Sequence, residues 1–256
     1  MNKITITIIA VLVILFGGLA TWAISTRDSA DYDINGIIAP GTQNGNIGDH
    51  VRGNPDATIV LIEYGDFGCS HCAQTQVIVD RLAEDYGDRV AFVFRNFLLG
   101  GAYKNSMAAA AAAEAAGKQG LYAEMSDKIY ANQAVWFYID AADRDTTFSE
   151  MFRTLGASFD RIVDIDQFLA DMSSADVKKK INFDDSVGRK KGIKGTPAFF
   201  LDGQQLASDD VKDEASLRAF LDRILAERGL PTGSQNTTSE EPETPAPEKE
   251  NTTPAE

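Results

Sequence analysis

The residues most able to do chemistry are two cysteines separated by two residues, in the segment Cys69-Ser70-His71-Cys72. Cysteines at positions i and i+3 in the first turn of a helix lie on one face, close enough to form a disulfide. At a helix N-terminus, unpaired backbone N–H groups and the helix dipole stabilise a thiolate. We therefore expect the pKa of Cys69 to lie below the roughly 8.5 of a free cysteine. His71 adds a further donor or a positive charge.

Such a site favours a redox role, because stabilising the reduced form makes the disulfide a stronger oxidant. A structural disulfide is an alternative, although a bond that closes so short a loop restrains little of the unfolded chain. Half of a zinc site is another alternative. The chain has two cysteines and two histidines in all, so His50 is the only further ligand of these types. We expect no metal site.

The elements around the cysteines predict a strand-helix-strand unit. Residues 57–64 (ATIVLIEY) are apolar on both faces, which is typical of a central strand covered by helices. Residues 65–68 end this strand, a helix is predicted over residues 73–86, and a second strand over residues 89–97. The cysteine pair therefore lies where a strand ends and a helix begins, and this position strengthens the redox interpretation.

An all-α insertion of three to five helices is predicted over residues 102–191, where no clear strand pattern occurs. Residues 106–116 are nearly pure alanine, a strong helix former. The basic run at residues 178–180 is interpreted as a solvated helix face.

After the insertion, strands are predicted over residues 198–201 and 204–207, on either side of a hairpin turn at Asp202-Gly203. An amphipathic helix over residues 213–228 follows, and Gly229 ends it. The folded domain is therefore expected over residues 49–229.

The N-terminus predicts one transmembrane helix. Residues 4–24 carry no charged side chain, and at ~1.5 Å per residue they span about 30 Å, the thickness of the hydrocarbon core. Trp22 lies where an interfacial aromatic is expected. A buried helix of a soluble core is the alternative. We expect a membrane anchor at residues 1–24 and a linker at residues 25–48, with the folded domain outside the cytoplasm and the protein single-pass in the cell membrane.

The C-terminal residues 230–256 predict a disordered acidic tail. Their final 26 residues hold six Glu, six Thr and five of the eight prolines, and no apolar side chain larger than alanine apart from those prolines. The whole chain has a formal net charge of −14. This charge argues against a nucleic-acid partner, because phosphate neutralisation needs clustered Lys and Arg.

Three segments taken together resemble the DsbA-like thiol-disulfide oxidoreductases of the thioredoxin superfamily, and within them the membrane-anchored BdbD-type enzymes. These segments are GNPDA at residues 53–57, LIEYGDFG followed by CSHC at residues 61–72, and GTPAFF at residues 195–200. The resemblance covers roughly residues 49–228. It implies an α/β, thioredoxin-like fold with an all-α insertion, here preceded by one N-terminal transmembrane helix.

The resemblance also implies roles for single residues. Cys69 would be the exposed nucleophile that forms mixed disulfides, and Cys72 its buried partner. Pro197 would be a cis-proline facing the disulfide, with Thr196 offering backbone groups to a substrate strand; an ordinary proline that starts an edge strand is the alternative. Ser70, expected beside the substrate, stands where the best-known members carry proline, in a dipeptide that tunes the redox potential.

Glu63, six residues before Cys69, resembles the buried acid that assists proton transfer to the second cysteine of the family. Independently of that resemblance, a carboxylate in an apolar strand is costly unless it is used, and its burial should raise its pKa. The alternative is that Glu63 lies at the solvated end of its strand.

The function implied by the resemblance is a dithiol oxidase with no cofactor beyond the Cys69–Cys72 disulfide. Its substrates would be unfolded exported proteins with free thiols. Its reoxidant would be a membrane partner of the DsbB or vitamin K epoxide reductase type. A reductase or isomerase that uses the same site is one alternative, and a non-redox thioredoxin-fold binding module is another.

Overall fold

A computed structural model describes residues 32–101 and 103–233 of the chain. The predicted anchor at residues 1–24, the start of the predicted linker and the predicted tail beyond residue 233 lie outside this description. Across the residues it covers, no helix is both long enough and apolar enough to cross a membrane.

The centre of the fold is a five-stranded sheet with the order β1-β3-β2-β4-β5. Its strands are β1 His50–Gly53, β2 Ile59–Gly65, β3 Val90–Asn96, β4 Ala198–Leu201 and β5 Gln204–Gln205. Strands β2 and β3 are parallel, whereas the other three pairs are antiparallel. The prediction that the strand before the cysteines is central is confirmed, because β2 lies between β3 and β4.

Two features of the sheet bear on the sequence predictions. The predicted hairpin is confirmed, since β4 pairs with β5 across Asp202 and Gly203, whose φ angles of 49° and 79° are left-handed. Strand β1 is not predicted by the sequence. It has four residues of mixed polarity, too few to give a periodic signal.

Eight α-helices surround the sheet in the described residues. They are α1 Ser70–Tyr86, α2 Ser106–Gly117, α3 Tyr122–Ala131, α4 Gln133–Trp136, α5 Arg144–Ser158, α6 Ile165–Met172, α7 Ala175–Lys190 and α8 Glu214–Glu227. The region between β3 and β4 is helical as predicted, but it has six helices, one more than the upper expectation. The additional element is α4, a single turn too short to be recognised from its periodicity.

The apolar core has two parts, and the cysteines belong to the part formed by the insertion. One cluster packs α1 and α8 against the sheet. The other joins the insertion helices to Phe67, Cys69 and Cys72. The two cysteines are therefore buried between the sheet and the insertion, so both can affect the geometry of the pair.

Two sequence interpretations differ from the structure. Part of the predicted linker is packed into the fold, because Ile38 and Asn44 are buried at 3% and 2% exposure. The run at residues 178–180 is not wholly solvated: Lys180 is buried, 3.0 Å from Asp49 and 2.8 Å from Asp184. Helical spacing brings Asp184 beneath Lys180, and Asp49 arrives from a distant part of the chain.

Candidate active site

The two cysteines lie at the N-terminus of α1, which begins directly after the loop that follows β2. Cys69 is the N-cap residue, with extended backbone angles of −78° and 121°, and its Sγ accepts a hydrogen bond from the Cys72 N–H at 3.4 Å. Both cysteines are free thiols. An N-cap side chain faces the unpaired N–H groups of the first helical turn, which is the position in which a thiolate is stabilised.

The loop before Cys69 is held by the carboxylate of Asp66, which the sequence analysis did not single out. Asp66 accepts hydrogen bonds from the Gly68 N–H at 2.7 Å, the Leu99 N–H at 2.8 Å and the Ser106 hydroxyl. A side chain at Gly68 would place its Cβ 2.8 Å from the Ser106 Oγ, so the close approach of this loop to α2 requires glycine.

A second support for the loop comes from the insertion. The side-chain amide of Gln133, at the start of α4, donates to the carbonyl oxygens of Phe67 at 2.6 Å and Cys69 at 3.1 Å. No sequence signal indicated this residue, because a lone glutamine in a helical region has no distinguishing pattern.

The loop before β4 completes the site, because it lies against Cys69. The peptide bond between Thr196 and Pro197 is cis, as expected. The Cys69 Sγ lies 3.5 Å from the Thr196 carbonyl oxygen, to which the thiol donates a hydrogen bond when it is protonated. Cys69 is only 4% exposed and Cys72 is fully buried. The expectation of a solvent-exposed Cys69 is therefore wrong, since the Thr196 loop and the apolar cluster of the insertion cover most of the residue.

The two cysteines have opposite proton affinities. The pKa of Cys69 is lowered to about 5, mainly by a hydrogen bond from the Cys72 thiol. Burial opposes this decrease, whereas the Thr196 side chain and the backbone N–H groups of Cys72 and His71 add to it. The same hydrogen bond, together with burial and the nearby Glu63 charge, raises the pKa of Cys72 far above its ordinary value. At neutral pH the reduced pair is therefore a Cys69 thiolate beside a Cys72 thiol. The side chains of Ser70 and His71 between them are exposed.

Glu63 faces α1, because alternation along β2 places it on the same face as Ile59 and Leu61, which pack with that helix. It is 4% exposed, so the alternative of a solvated strand end is wrong. Burial first, and then the charges of Cys69 and Asp80, raise the pKa of Glu63 to about 8. The carboxyl group can therefore hold a proton at neutral pH.

Glu63 also borders a cavity of about 410 Å³ that is lined by the sheet, α1 and the start of α3. Arg52 of β1 lines the same cavity and forms ion pairs with Asp80 at 2.9 Å and Asp127 at 2.5 Å. The Arg52 charge opposes the increase in the pKa of Glu63. Arg52 was missed by the sequence analysis because its strand was missed.

The zinc alternative finds no support in residues 32–101 and 103–233, where no three His, Cys, Asp or Glu side chains are grouped to hold a metal ion. His50, the one histidine outside the cysteine segment, pairs with Glu114 at 2.8 Å and stacks on the Tyr122 ring. The structure thus brings together Cys69, Cys72, Thr196 and Pro197, with Glu63 close enough to interact electrostatically with both cysteines.

The chain matches a known protein family and several solved structures. A family model described as Thioredoxin matches residues 45–223. Among solved structures, the chain is similar to a thioredoxin-like oxidoreductase from Silicibacter pomeroyi DSS-3, with 24% identity, a TM-score of 0.55, and coverage of 70% of this chain and 92% of that one. It is similar to BdbD from Bacillus subtilis, with 16% identity, a TM-score of 0.58, and coverage of 76% and 100%. It is also similar to the thiol-disulfide exchange protein alpha-DsbA2 from Wolbachia pipientis, with 19% identity, a TM-score of 0.56, and coverage of 69% and 87%.

Curated relatives match the chain over a shorter region, and they are described as Na(+)/H(+) antiporters. The chain is 33% identical over 159 residues to the Na(+)/H(+) antiporter NhaA 1 of Mycobacterium sp. (strain KMS), which is 61% of this chain and 24% of that protein. It is 30% identical over 158 residues to the Na(+)/H(+) antiporter NhaA of Herminiimonas arsenicoxydans, at 62% and 23% coverage. The chain thus spans about a quarter of the length of these relatives.

Proposed function

Because the chain belongs to the thioredoxin family and has the fold of the DsbA-like oxidoreductases, we propose that it introduces disulfides into exported proteins by dithiol–disulfide exchange at Cys69 and Cys72. The observation that carries this proposal is the unequal pair itself: a Cys69 thiolate at a helix N-terminus, against the Thr196-Pro197 loop, with a buried Cys72 thiol beside it.

In the proposed reaction, a substrate thiolate attacks the Cys69 sulfur of the oxidised pair. The electrons of the broken S–S bond go to Cys72, which leaves as a thiolate and takes a proton from Glu63. A second substrate thiolate then attacks the substrate sulfur of the mixed disulfide and displaces Cys69 as a thiolate. The substrate is oxidised to a disulfide by two electrons, and the cysteine pair is reduced by two.

The pKa of Cys69 supports oxidation as the physiological direction. A fall of this pKa from 9.0 to about 5 stabilises the reduced form at pH 7 by roughly 2 kcal/mol, after allowance for solvent screening. For a two-electron couple this is about 40 mV toward a more oxidising potential. Cys72 adds nothing at this pH, because it is protonated with or without its own shift.

An exposed aromatic side chain near the loop before Cys69 is the proposed contact for substrates. Tyr138 is 80% exposed, and its ring contacts that of Phe137, which lies close to Gly68. An exposed aromatic side chain at this position suits an unfolded polypeptide, which presents apolar groups together with its thiols.

The proposed location is the outer side of the cell membrane, with residues 1–24 as a single-pass anchor. The support is the uncharged stretch at residues 4–24 and the need of a disulfide-forming enzyme for an oxidising compartment. The electrons gained from substrates must then leave the protein. We propose that a membrane reoxidant of the DsbB or vitamin K epoxide reductase type accepts them.

The reduction potential tests the proposal. The purified protein is equilibrated in glutathione buffers, and the thiols of Cys69 and Cys72 are counted by the mass shift after alkylation. A value near about −120 mV supports the oxidase, whereas a value near about −270 mV indicates a thioredoxin-like electron donor that uses the same site. The absence of any dithiol–disulfide transition would refute a redox function and leave a binding module.

A further inference from the structure

The hydrogen bonds of Gln133 connect the insertion to both sides of the peptide that carries the Cys69 N–H. Its amide nitrogen lies 2.6 Å from the Phe67 carbonyl oxygen and 3.1 Å from that of Cys69. The Cys69 oxygen accepts the first hydrogen bond of α1 as well, from the Ala73 N–H at 3.1 Å. The Cys69 carbonyl therefore receives donors from two elements, and so the start of α1 is bound to the insertion.

This contact complements the one made by Asp66. Asp66 binds an N–H group of the same loop, that of Gly68, whereas Gln133 binds its carbonyl groups. The first N–H groups of α1 stabilise a thiolate at Cys69 only while the backbone of Cys69 keeps the N-cap conformation, which turns the sulfur toward them. The carbonyl oxygens beside it carry partial negative charge, and a donated N–H from Gln133 offsets that charge.

The segment that carries Gln133 is firmly held. The indole N–H of Trp136 donates to the Ile129 carbonyl at 2.8 Å, and the Trp136 side chain is fully buried. The side-chain amide of Asn105 lies 3.0 Å from the Trp136 carbonyl oxygen and 2.9 Å from that of Ile139. The backbone at Gln133 is therefore held in place by its own contacts, so the Gln133 side chain can restrict the conformation of the loop before Cys69.

We propose that Gln133 is a positioning residue for Cys69, whose two hydrogen bonds hold the loop in the conformation that stabilises the thiolate and thereby set the reactivity of the pair. This inference depends on the proposed redox function of the cysteines. It assigns to the helical insertion a part in tuning the chemistry.

The test compares Gln133→Met with Gln119→Met. Methionine keeps the length of the side chain and removes the donor. Gln119 is a matched control, since its amide makes two hydrogen bonds to the backbone of Asp164 within the same insertion, at 2.8 and 2.9 Å. A third variant, Gln133→Lys, keeps a donor at the position.

The readouts are the thiolate absorbance at 240 nm of the reduced protein between pH 3 and 9, and the reduction potential in glutathione buffers. We expect Gln133→Met to raise the titration midpoint by about half to one pH unit and to make the potential less oxidising. Gln119→Met should change neither value, even if it lowers the stability as much. Gln133→Lys should keep the midpoint at or below that of the parent.

Equal midpoints for the parent and Gln133→Met, or equal increases in the Met and Lys variants, would overturn the inference. If the parent shows the dithiol–disulfide transition, either of these results leaves the proposed function intact. If the parent shows no transition, the proposed function itself fails.

Discussion

Replacing Glu63 by glutamine should remove a pH-dependent loss of stability from this protein. Glu63 lies in the central strand β2 at 4% exposure, and its pKa is raised from 4.5 to about 8, mainly by burial. A group that binds its proton more tightly in the folded than in the unfolded chain favours folding below the unfolded pKa. That advantage is lost as the pH rises toward the folded pKa.

The magnitude follows from the two pKa values. Between pH 4.5 and 8 the folded protein retains a proton that the unfolded chain releases, so this group lowers the free energy of unfolding by about 1.4 kcal/mol per pH unit. The total decrease in the free energy of unfolding is near zero at pH 4 and about 3 kcal/mol at pH 7. Glutamine cannot titrate. Any cost of burying its amide is independent of pH. The prediction therefore concerns how the free energy of unfolding changes with pH, and not its absolute value.

Urea unfolding of the reduced protein, followed by circular dichroism between pH 4 and 8, measures this difference. The stability of Glu63→Gln relative to the parent should rise steadily above pH 5, by a total of about 3 kcal/mol at pH 7. The control is Glu84→Gln on the exposed face of α1, which should follow the parent. If Glu63→Gln runs parallel to the parent over the whole range, the carboxyl group is not held protonated by burial and the argument is refuted.

Three further results are expected. The thiolate absorbance of the reduced protein should titrate with a midpoint near pH 5, set by Cys69; a midpoint above pH 8 would contradict the N-cap argument. Tyr138→Ala should raise the KM for a reduced unfolded protein and leave the rate with a small dithiol unchanged; equal effects on both would exclude a docking role for this exposed ring. Asp49→Ala should lower the free energy of unfolding by about 3–5 kcal/mol, because the buried Arg95 and Lys180 lose a shared carboxylate. A loss below about 1 kcal/mol in urea unfolding would contradict the importance of this cluster.

The parts of the fold that the sequence predicts are those with a local signal. The central strand, the hairpin at Asp202-Gly203 and the alanine-rich helix each show their structure within about ten residues. The cysteine pair is as local, since its spacing and its position after a strand indicate both its location and its chemistry. Glu63 could be found because a carboxylate is out of place in an apolar strand.

The residues that the sequence does not reveal act through distant partners. Lys180 can be buried because its ammonium group pairs with Asp49. Asp49 lies 131 positions earlier in the chain, so the sequence around residue 180 gives no sign of this pairing. Gln133 matters because α4 reaches a loop more than 60 residues away. Arg52 is placed beside Glu63 by a strand too short to recognise. In each case packing of distant segments decides the role, and local pattern does not.

The depth of the two sulfurs determines which half of the proposed exchange needs a proton. Cys69 faces the N–H groups of α1 and is a good leaving group at neutral pH, because a thiol of low pKa departs as a stable thiolate. Cys72 lies deeper and is fully buried, so its departure places an unfavourable charge in an apolar environment unless a proton arrives. Glu63, with a pKa of about 8, can supply that proton from inside the protein. In the exchange that we propose, proton transfer from Glu63 would therefore assist the attack that opens the disulfide, whereas release of the oxidised substrate from Cys69 would need no proton.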